Sequence, residues 1–243
     1  MKVLGIDIGG TGIKGAPVET RTGKLVAERC RIPTPQPATP DAVAGVVQQI
    51  IDHFGWTRRV GITFPGVIVD GEIRTAANVD RSWVGLEGAA VFGKEAHLLN
   101  DADAAGIAET TFGAGKGHDG VILMLTFGTG IGSALFTGGK LVPNTEFGHL
   151  EIRGKEAERR ASEIVREHKN LSWSDWSERV QEYLTHMERL LSPNLIIIGG
   201  GASKKSDKFL PHLKTRAPIV PATLLNEAGI VGAALAATEP ISP

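Results

Sequence analysis

The sequence predicts an α/β protein built from two similar lobes, and three observations carry that prediction. The tetrapeptide Gly-Thr-Gly-Ile occurs twice, at 10–13 and 128–131. Each copy follows an apolar run rich in strand-forming residues, Val3 to Ile8 and Val121 to Phe127. A third apolar run, Leu195 to Ile198, opens onto three consecutive glycines, Gly199, Gly200 and Gly201. Glycine lets the backbone bend sharply with its N–H groups exposed, and a threonine hydroxyl adds a donor, which suits phosphate oxygens. Two such bends imply two lobes gripping a phosphate chain between them.

The elements follow in order. Val3 to Ile8 reads as a buried strand and Ile13 to Val18 as its return from the first bend. Glu19 to Lys24 is a polar hairpin tip, and Leu25 to Ile32 is expected as a third strand. Pro33 to Pro40 is too rich in proline for a helix or a central strand. Thr39-Pro40 is a helix start, with threonine as N-cap and proline in the first helical position. Val43, Val46, Val47, Ile50, Ile51 and Phe54 keep helical spacing until Gly55. Val60 to Phe64 is a short strand running into Pro65-Gly66. Leu98 to Asn100 is a strand end, followed by a helix over Ala102 to Thr111.

The second lobe opens near Val121, with a helix expected over Glu156 to Glu167. Trp176, Val180, Tyr183, Leu184, Met187, Leu190 and Leu191 stripe a longer helix that Ser192-Pro193 ends. Asn226 to Ala237 is an Ala- and Gly-rich helix suited to close packing, expected to return to the first lobe. The lobes therefore span 1–112 with 226–240, and 113–225.

Composition narrows the class. A chain of 243 residues with 42% hydrophobic and 22% charged residues is ordinary for a globular protein with a real core. A net charge of −1 gives no global pull towards nucleic acid or membranes. Cys30 is the single cysteine, so there is no intrachain disulfide and no multi-cysteine zinc site. The N-terminus enters a strand at once, with no signal-peptide layout and no apolar run long enough to span a membrane. A cytoplasmic protein is the expectation.

Several residues carry candidate chemistry. The first bend holds Asp7, Gly9, Gly10, Thr11, Gly12 and Lys14, and the second holds Gly128, Thr129 and Gly130. With Gly200, Gly201 and Lys204 they form the expected phosphate or nucleotide set. Asp7, a carboxylate at a strand end beside a phosphate bend, suits Mg²⁺ held through water. There is neither a Gly-x-x-x-x-Gly-Lys-Ser/Thr loop nor the strand-turn-helix spacing of a dinucleotide fingerprint. Asn100-Asp101 ends a strand, where open α/β sheets place ligands. Asp101 suits a base taking a hydroxyl proton during phosphoryl transfer, while either residue also suits a helix N-cap. Glu146 and His149, three apart, offer a donor and acceptors for sugar hydroxyls. Lys204, Lys205 and Lys208, with Lys14 and Lys116, are either a basic track for a polyanion or solvated surface charge.

Taken in order, Asp7-Ile-Gly-Gly-Thr-Gly-Ile-Lys14, Pro65-Gly66, Asn78, Asn100-Asp101, Gly128-Thr-Gly-Ile-Gly132, Glu146-Phe-Gly-His149 and Gly199-Gly-Gly201 resemble the ROK (repressor, ORF, kinase) family of sugar kinases and regulators. The resemblance implies a duplicated actin-like (ribonuclease H-like) fold whose two lobes close on a sugar and a phosphoryl donor. It implies Asp101 as general base towards the sugar 6-hydroxyl, with Gly66, Asn78, Asn100, Glu146 and His149 at the sugar. Many members carry a cysteine-rich zinc motif after Glu-x-Gly-His. Here His149 to Ser162 contains no cysteine, and Glu158 falls where the family's last sugar-contacting Glu stands, ahead of Glu151 and Glu156.

Thr34 to Pro40, Asn100 to Ala105, Asn144 to His149 and Gly154 to Glu158 are similar to the zinc-free actinobacterial polyphosphate glucokinases, a group that includes glucomannokinases using polyphosphate or ATP. That implies a glucose kinase, acting also on mannose, with Mg²⁺, no zinc and a homodimeric assembly. Family regulators carry an N-terminal helix-turn-helix segment, whereas this sequence starts at its first strand. Another reading, a polymerising or chaperone-type ATPase sharing the actin-like fold, is opposed by the sugar-site residues at 78, 146, 149 and 158.

Overall fold

The computed structural model describes residues 1–238, so residues 239 and 240 of the expected 226–240 piece lie outside the described residues. The chain divides into two compact units, one formed by Met1–Ala108 with the segment from Asn226, the other by Glu109–Leu225.

In the first unit β1 (Lys2–Ile8) and β2 (Ile13–Glu19) form a hairpin around the first glycine bend, followed by β3 (Lys24–Leu25) and β4 (Cys30–Ile32). Next come α1 (Pro40–His53), β5 (Val60–Phe64), the small hairpin β6 (Ile68–Val69) and β7 (Glu72–Ile73), α2 (Gly88–Phe92), β8 (Ala96–Asn100) and α3 (Asp101–Phe112). The main sheet runs β3-β2-β1-β5-β8, with β4 also on β2. The β1–β2 pair is antiparallel, while β5 joins β1, and β8 joins β5, in parallel. Leu4, Ile6, Ile8, Val47, Ile50, Ile62, Phe64 and Trp83 pack the core of this unit. Thr39 caps α1 by accepting the Ala42 N–H at 3.4 Å, as its Thr-Pro start predicts.

The expected third strand over Leu25 to Ile32 is instead two short strands. Val18 pairs with Leu25 and Gly15 with Cys30, so residues 26–29 loop out opposite Ala16 and Pro17. Pro17 has no N–H to continue the ladder, which breaks the strand there. The looped stretch resets the register so that Arg31 stands opposite Lys14.

The second unit repeats the pattern. β9 (Val121–Phe127), β10 (Ile131–Thr137) and β11 (Lys140–Val142) form an antiparallel meander around the second glycine bend. After the hairpin β12 (Glu151–Ile152) and β13 (Lys155–Glu156) come α4 (Glu158–Ala161), α5 (Glu163–His168), α6 (Trp173–Leu191), β14 (Leu195–Gly200) and β15 (Ile219–Pro221). The sheet runs β11-β10-β9-β14-β15, with β14 and β15 added in parallel. The order and directions match those of the first sheet, a meander followed by two parallel strands. Such a repeat is what a duplicated fold requires.

The helix expected over Glu156 to Glu167 is corrected by the structure. Glu156 lies in β13, and the helix that follows breaks at Ser162, whose backbone is extended (φ −65°, ψ 159°). The indole N–H of buried Trp176 donates to the carbonyls of Ala161 (3.0 Å) and Ser162 (3.2 Å). The break leaves α4 and α5 as separate short helices, each beginning at a glutamate.

Helix α7 (Ala228–Ala236) lies against β1 and β5 of the first unit. The approach is so close that a Cβ at Gly5 would meet the Ile230 carbonyl and one at Gly61 the Ala233 carbonyl. Two strand glycines thus let backbone meet backbone, which accounts for the small residues of the helix.

Candidate active site

The first bend closes with Gly9 N–H donating to the Gly12 carbonyl at 3.2 Å. Asp7, one residue from the end of β1, is 17% exposed. Its Oδ2 accepts from Lys14 Nζ at 3.2 Å and its Oδ1 from the Thr63 hydroxyl at 2.8 Å. Thr63 is fully buried on β5, opposite Asp7 in the parallel register, and its oxygen also accepts the Ile8 N–H at 3.2 Å. A carboxylate has about four lone-pair positions, so Asp7 keeps acceptor capacity for a hydrated cation while two donors hold it in place.

Lys14, the lysine expected at the phosphates, is also the ion-pair partner of Asp7. Arg31, which the sequence reading passes over, and Thr34, named there only as the start of the Thr34 to Pro40 stretch, support the same bend: Arg31 donates to the Thr11 carbonyl at 3.2 Å, and Thr34 donates to the carbonyl of Gly9. Arg31 reaches it only through the β2–β4 register. No local motif announces that pairing.

Around the end of β8 the structure gathers four predicted sugar-site residues of this unit. Asn100 Oδ1 accepts from the N–H groups of Ala102 (2.8 Å) and Asp103 (3.0 Å), so Asn100 caps α3, and its Nδ2 donates to the Gly66 carbonyl at 3.1 Å. Asp101 opens α3 and is exposed. Gly66 lies under the Thr75 carbonyl, and the loop continues to Asn78, in the left-handed region at φ 60°. A Cβ at Gly10 would lie 3.4 Å from that of Asn78, which joins the sugar-site loop to the first bend.

In the second unit the bend closes with Gly128 N–H donating to the Gly130 carbonyl at 3.1 Å. Glu158 packs against it: a Cβ at Gly130 would lie 2.5 Å from Glu158 Oε2, and the Ile131 N–H donates to that oxygen at 3.4 Å. Buried Ser133 ties down the neighbouring loop, donating to the Thr145 carbonyl at 2.7 Å and accepting the Phe147 N–H at 3.0 Å.

That loop presents Glu146 and His149. His149 Nε2 is 3.6 Å from Glu146 Oε2, and Nδ1 is 3.2 Å from Glu156 Oε1. Burial raises the carboxyl of Glu146 above its ordinary value; His149 opposes the shift and Glu158 adds to it. Glu146, His149 and Glu158 thus form one cluster beside the second bend, with Glu156 on its edge and also paired with Arg159 at 2.6 Å. Glu151 is exposed on β12, opposite Glu156.

One ligand atom from each of His149, Glu156 and Glu158 falls within 4.8 Å of the others. An imidazole with two carboxylates offers hydroxyl acceptors, and it contains none of the thiolates of the family's cysteine-rich motif. Beyond the triple glycine, Gly201 to Lys208 coil in 3₁₀ turns that expose Lys204, Lys205 and Lys208. Glu163 of α5 packs against Gly201, and the adjacent Ile164 N–H donates to the Gly128 carbonyl at 3.1 Å. The sequence reading did not single out Glu163, because it depends on the helix break at Ser162.

The pattern of the ROK family matches residues 3–161. The polyphosphate glucokinase of Mycobacterium tuberculosis is 52% identical over 238 residues, covering 96% of this chain and 90% of that protein. That of Mycobacterium leprae is 50% identical over 244 residues, covering 98% and 75%. Among solved structures, the inorganic polyphosphate/ATP-glucomannokinase from Arthrobacter sp. strain KM superposes with a TM-score of 0.93 at 50% identity, over 98% of each chain. A ROK family glucokinase from Streptomyces griseus, in complex with glucose and AMPPNP, shares the fold with a TM-score of 0.81 at 23% identity, over 96% of this chain and 98% of that one.

Proposed function

We propose that this chain, which belongs to the ROK family and has its duplicated actin-like fold, is a glucokinase that transfers a phosphoryl group from inorganic polyphosphate or ATP to the 6-hydroxyl of glucose. The observation that carries it is identity of 50–52% to polyphosphate glucokinases over nearly the whole chain. The two closed glycine bends, and Asn100 tied to the Gly66 carbonyl beside Asp101, support the same reading.

In this reading Asp101 takes the proton of the 6-hydroxyl as that oxygen bonds to the terminal phosphorus and the bond to the departing phosphate breaks. Gly66, Asn78 and Asn100 are assigned to binding sugar hydroxyls, and so are Glu146, His149 and Glu158, which supply hydroxyl acceptors and a donor. The glycine bends at 9–12, 128–130 and 200–201 each offer backbone N–H groups to phosphate oxygens, so catalysis is chiefly positioning and electrostatics. Asp7 would hold Mg²⁺ through water. When bound there it would supply neutralisation of charge on the donor phosphates. Lys204, with Lys205 and Lys208, draws polyphosphate towards the triple glycine.

Mannose is a second acceptor in this proposal, and the enzyme acts as a cytoplasmic homodimer without zinc, nucleic acid or membrane partners. Among the described residues no helix is long and apolar enough to cross a membrane. The test is a coupled assay for hexose 6-phosphate with four pairings, glucose or mannose with ATP or polyphosphate, run with metal analysis and light scattering. Formation of glucose 6-phosphate with either donor is expected. Donor consumption that glucose does not stimulate would replace the kinase with an actin-like ATPase.

A further inference from the structure

We propose that Glu163 selects between the two donor classes: its carboxylate accepts the ribose hydroxyls of a nucleoside triphosphate and opposes a donor made of phosphate alone. The inference deepens the donor half of the function proposed above and rests on it.

Three observations lead to it. The first is position. A Cβ at Gly201 would run into Glu163 Oε2, and the next N–H along the chain, that of Ile164, is bonded to the Gly128 carbonyl at 3.1 Å. The carboxylate therefore adjoins the triple-glycine turn, and the backbone that carries it is tied to the second glycine bend, where donor phosphates are expected.

The second is its unmet bonding. Among the described residues no donor hydrogen-bonds to Glu163, although the side chain is partly buried. Burial raises its carboxyl above the ordinary value and Glu167 adds to the rise, while Arg166, Lys205 and Lys204 pull it down. A partly buried carboxylate that no protein donor engages keeps acceptor capacity for an arriving hydroxyl.

The third concerns the cations. Arg166, Lys204 and Lys205 are near enough to act on Glu163 electrostatically, yet none forms an ion pair with it. The Arg166 guanidinium instead sits over the Trp173 ring at 4.2 Å, and Lys205 lies 5.9 Å from the same ring. The indole face holds the positive charge beside the carboxylate without neutralising it.

The chemistry of the donors then separates them. Both carry phosphates that the turn N–H groups and nearby cations attract. Only the nucleoside brings neutral vicinal hydroxyls, which are donors that suit an unpartnered carboxylate. A polyphosphate chain presents further acceptors and further negative charge at the same place. Glu163 is thus a specificity-determining residue whose removal should move the two donors in opposite directions.

The test uses the full-length enzyme with saturating glucose and compares Glu163→Ala and Glu163→Gln with the parent, with thermal melting as a folding control. In Glu163→Ala the KM for ATP should rise about tenfold, the loss of a hydrogen bond to a charged group, while the KM for polyphosphate falls. Glu163→Gln keeps an acceptor without the charge, so its KM for polyphosphate should fall similarly and its KM for ATP rise less. Replacing ATP by 2′,3′-dideoxy-ATP should cost the parent about tenfold and leave Glu163→Ala indifferent. The KM for glucose should stay constant.

A ratio of polyphosphate to ATP KM unchanged in both variants overturns the proposal, as does a common shift of both donors. Calorimetric titration of ATP and of inorganic tripolyphosphate reads the same selectivity without turnover. An enzyme that binds them as predicted but phosphorylates no sugar would refute the kinase reading and leave the role of Glu163 standing.

Discussion

Replacing Thr63 by valine tests how the first bend is wired. The two side chains have nearly the same shape, so the substitution removes a hydroxyl and little else from a position with no solvent exposure. Two hydrogen bonds go with it: the 2.8 Å donation to Asp7 Oδ1 and the 3.2 Å acceptance from the Ile8 N–H. The first is charge-assisted and contributes about 1.5–3 kcal/mol, and an orphaned buried N–H costs about 1–3 kcal/mol. Partial relaxation lowers the sum, so Thr63→Val should destabilise the protein by roughly 2–4 kcal/mol.

The assay is a double-mutant cycle of Thr63→Val and Asp7→Asn, read by denaturant unfolding with donor KM measured in parallel. With Asn at 7 the charge-assisted part is gone, so valine at 63 should cost less there by about 1 kcal/mol or more. In the single variant the Asp7 carboxylate loses one of its two restraints, and donor KM should rise while glucose KM holds. Thr63→Ser, which restores a hydroxyl, should recover most of the donor KM. A destabilisation below about 0.5 kcal/mol, or a cost equal in both backgrounds, would refute the proposed wiring.

The remaining tests address other parts of the site. Because burial raises the Glu146 carboxyl above 4.5, the protonated form is favoured by folding; this contribution is complete at pH below 4.5 and fades as pH rises through the folded value. Glu146→Gln should therefore gain stability over the parent progressively above pH 4.5 in pH-dependent melts. The same ionisation predicts that glucose affinity of the parent weakens as pH falls through that raised value, with the variant flat in calorimetry. Asn100→Ala should lose about 1 kcal/mol of cap stability and raise glucose KM, since it also releases the Gly66 carbonyl. Changing Lys204 and Lys205 together to Ala should raise polyphosphate KM by about two- to fivefold per lysine, more at low salt than at high salt. Unchanged polyphosphate kinetics would return those lysines to solvated surface.

Local chemistry made some of this legible from the sequence and topology hid the rest. The glycine bends, the Thr39-Pro40 helix start and the stripe from Trp176 to Met187 are written in contiguous residues and appear where their patterns predict, whereas Leu190, counted in the same stripe, is exposed near the helix end. Asn100 and Gly66 could be named separately, but their hydrogen bond requires the parallel register of β5 and β8. The misreadings share one cause. Leu25 to Ile32 and Glu156 to Glu167 have suitable local propensity, and long-range partners override it: Pro17 across the ladder in one case, the Trp176 indole in the other. Residues to which the sequence reading gave no part in the site, Arg31, Thr34, Thr63 and Glu163, reach the bends from other strands, from the loop after β4 or from a helix that the break creates. Isolated polar side chains of this kind carry no spacing signal.

The most direct measurement for the proposed enzyme is turnover in Asp101→Asn, paired with calorimetric binding of glucose to the same preparation. Loss of the proton acceptor should slow turnover by about two to four orders of magnitude with glucose still bound at near-parental affinity. Turnover close to that of the parent with either donor would remove Asp101 from the reaction and with it the proposed mechanism.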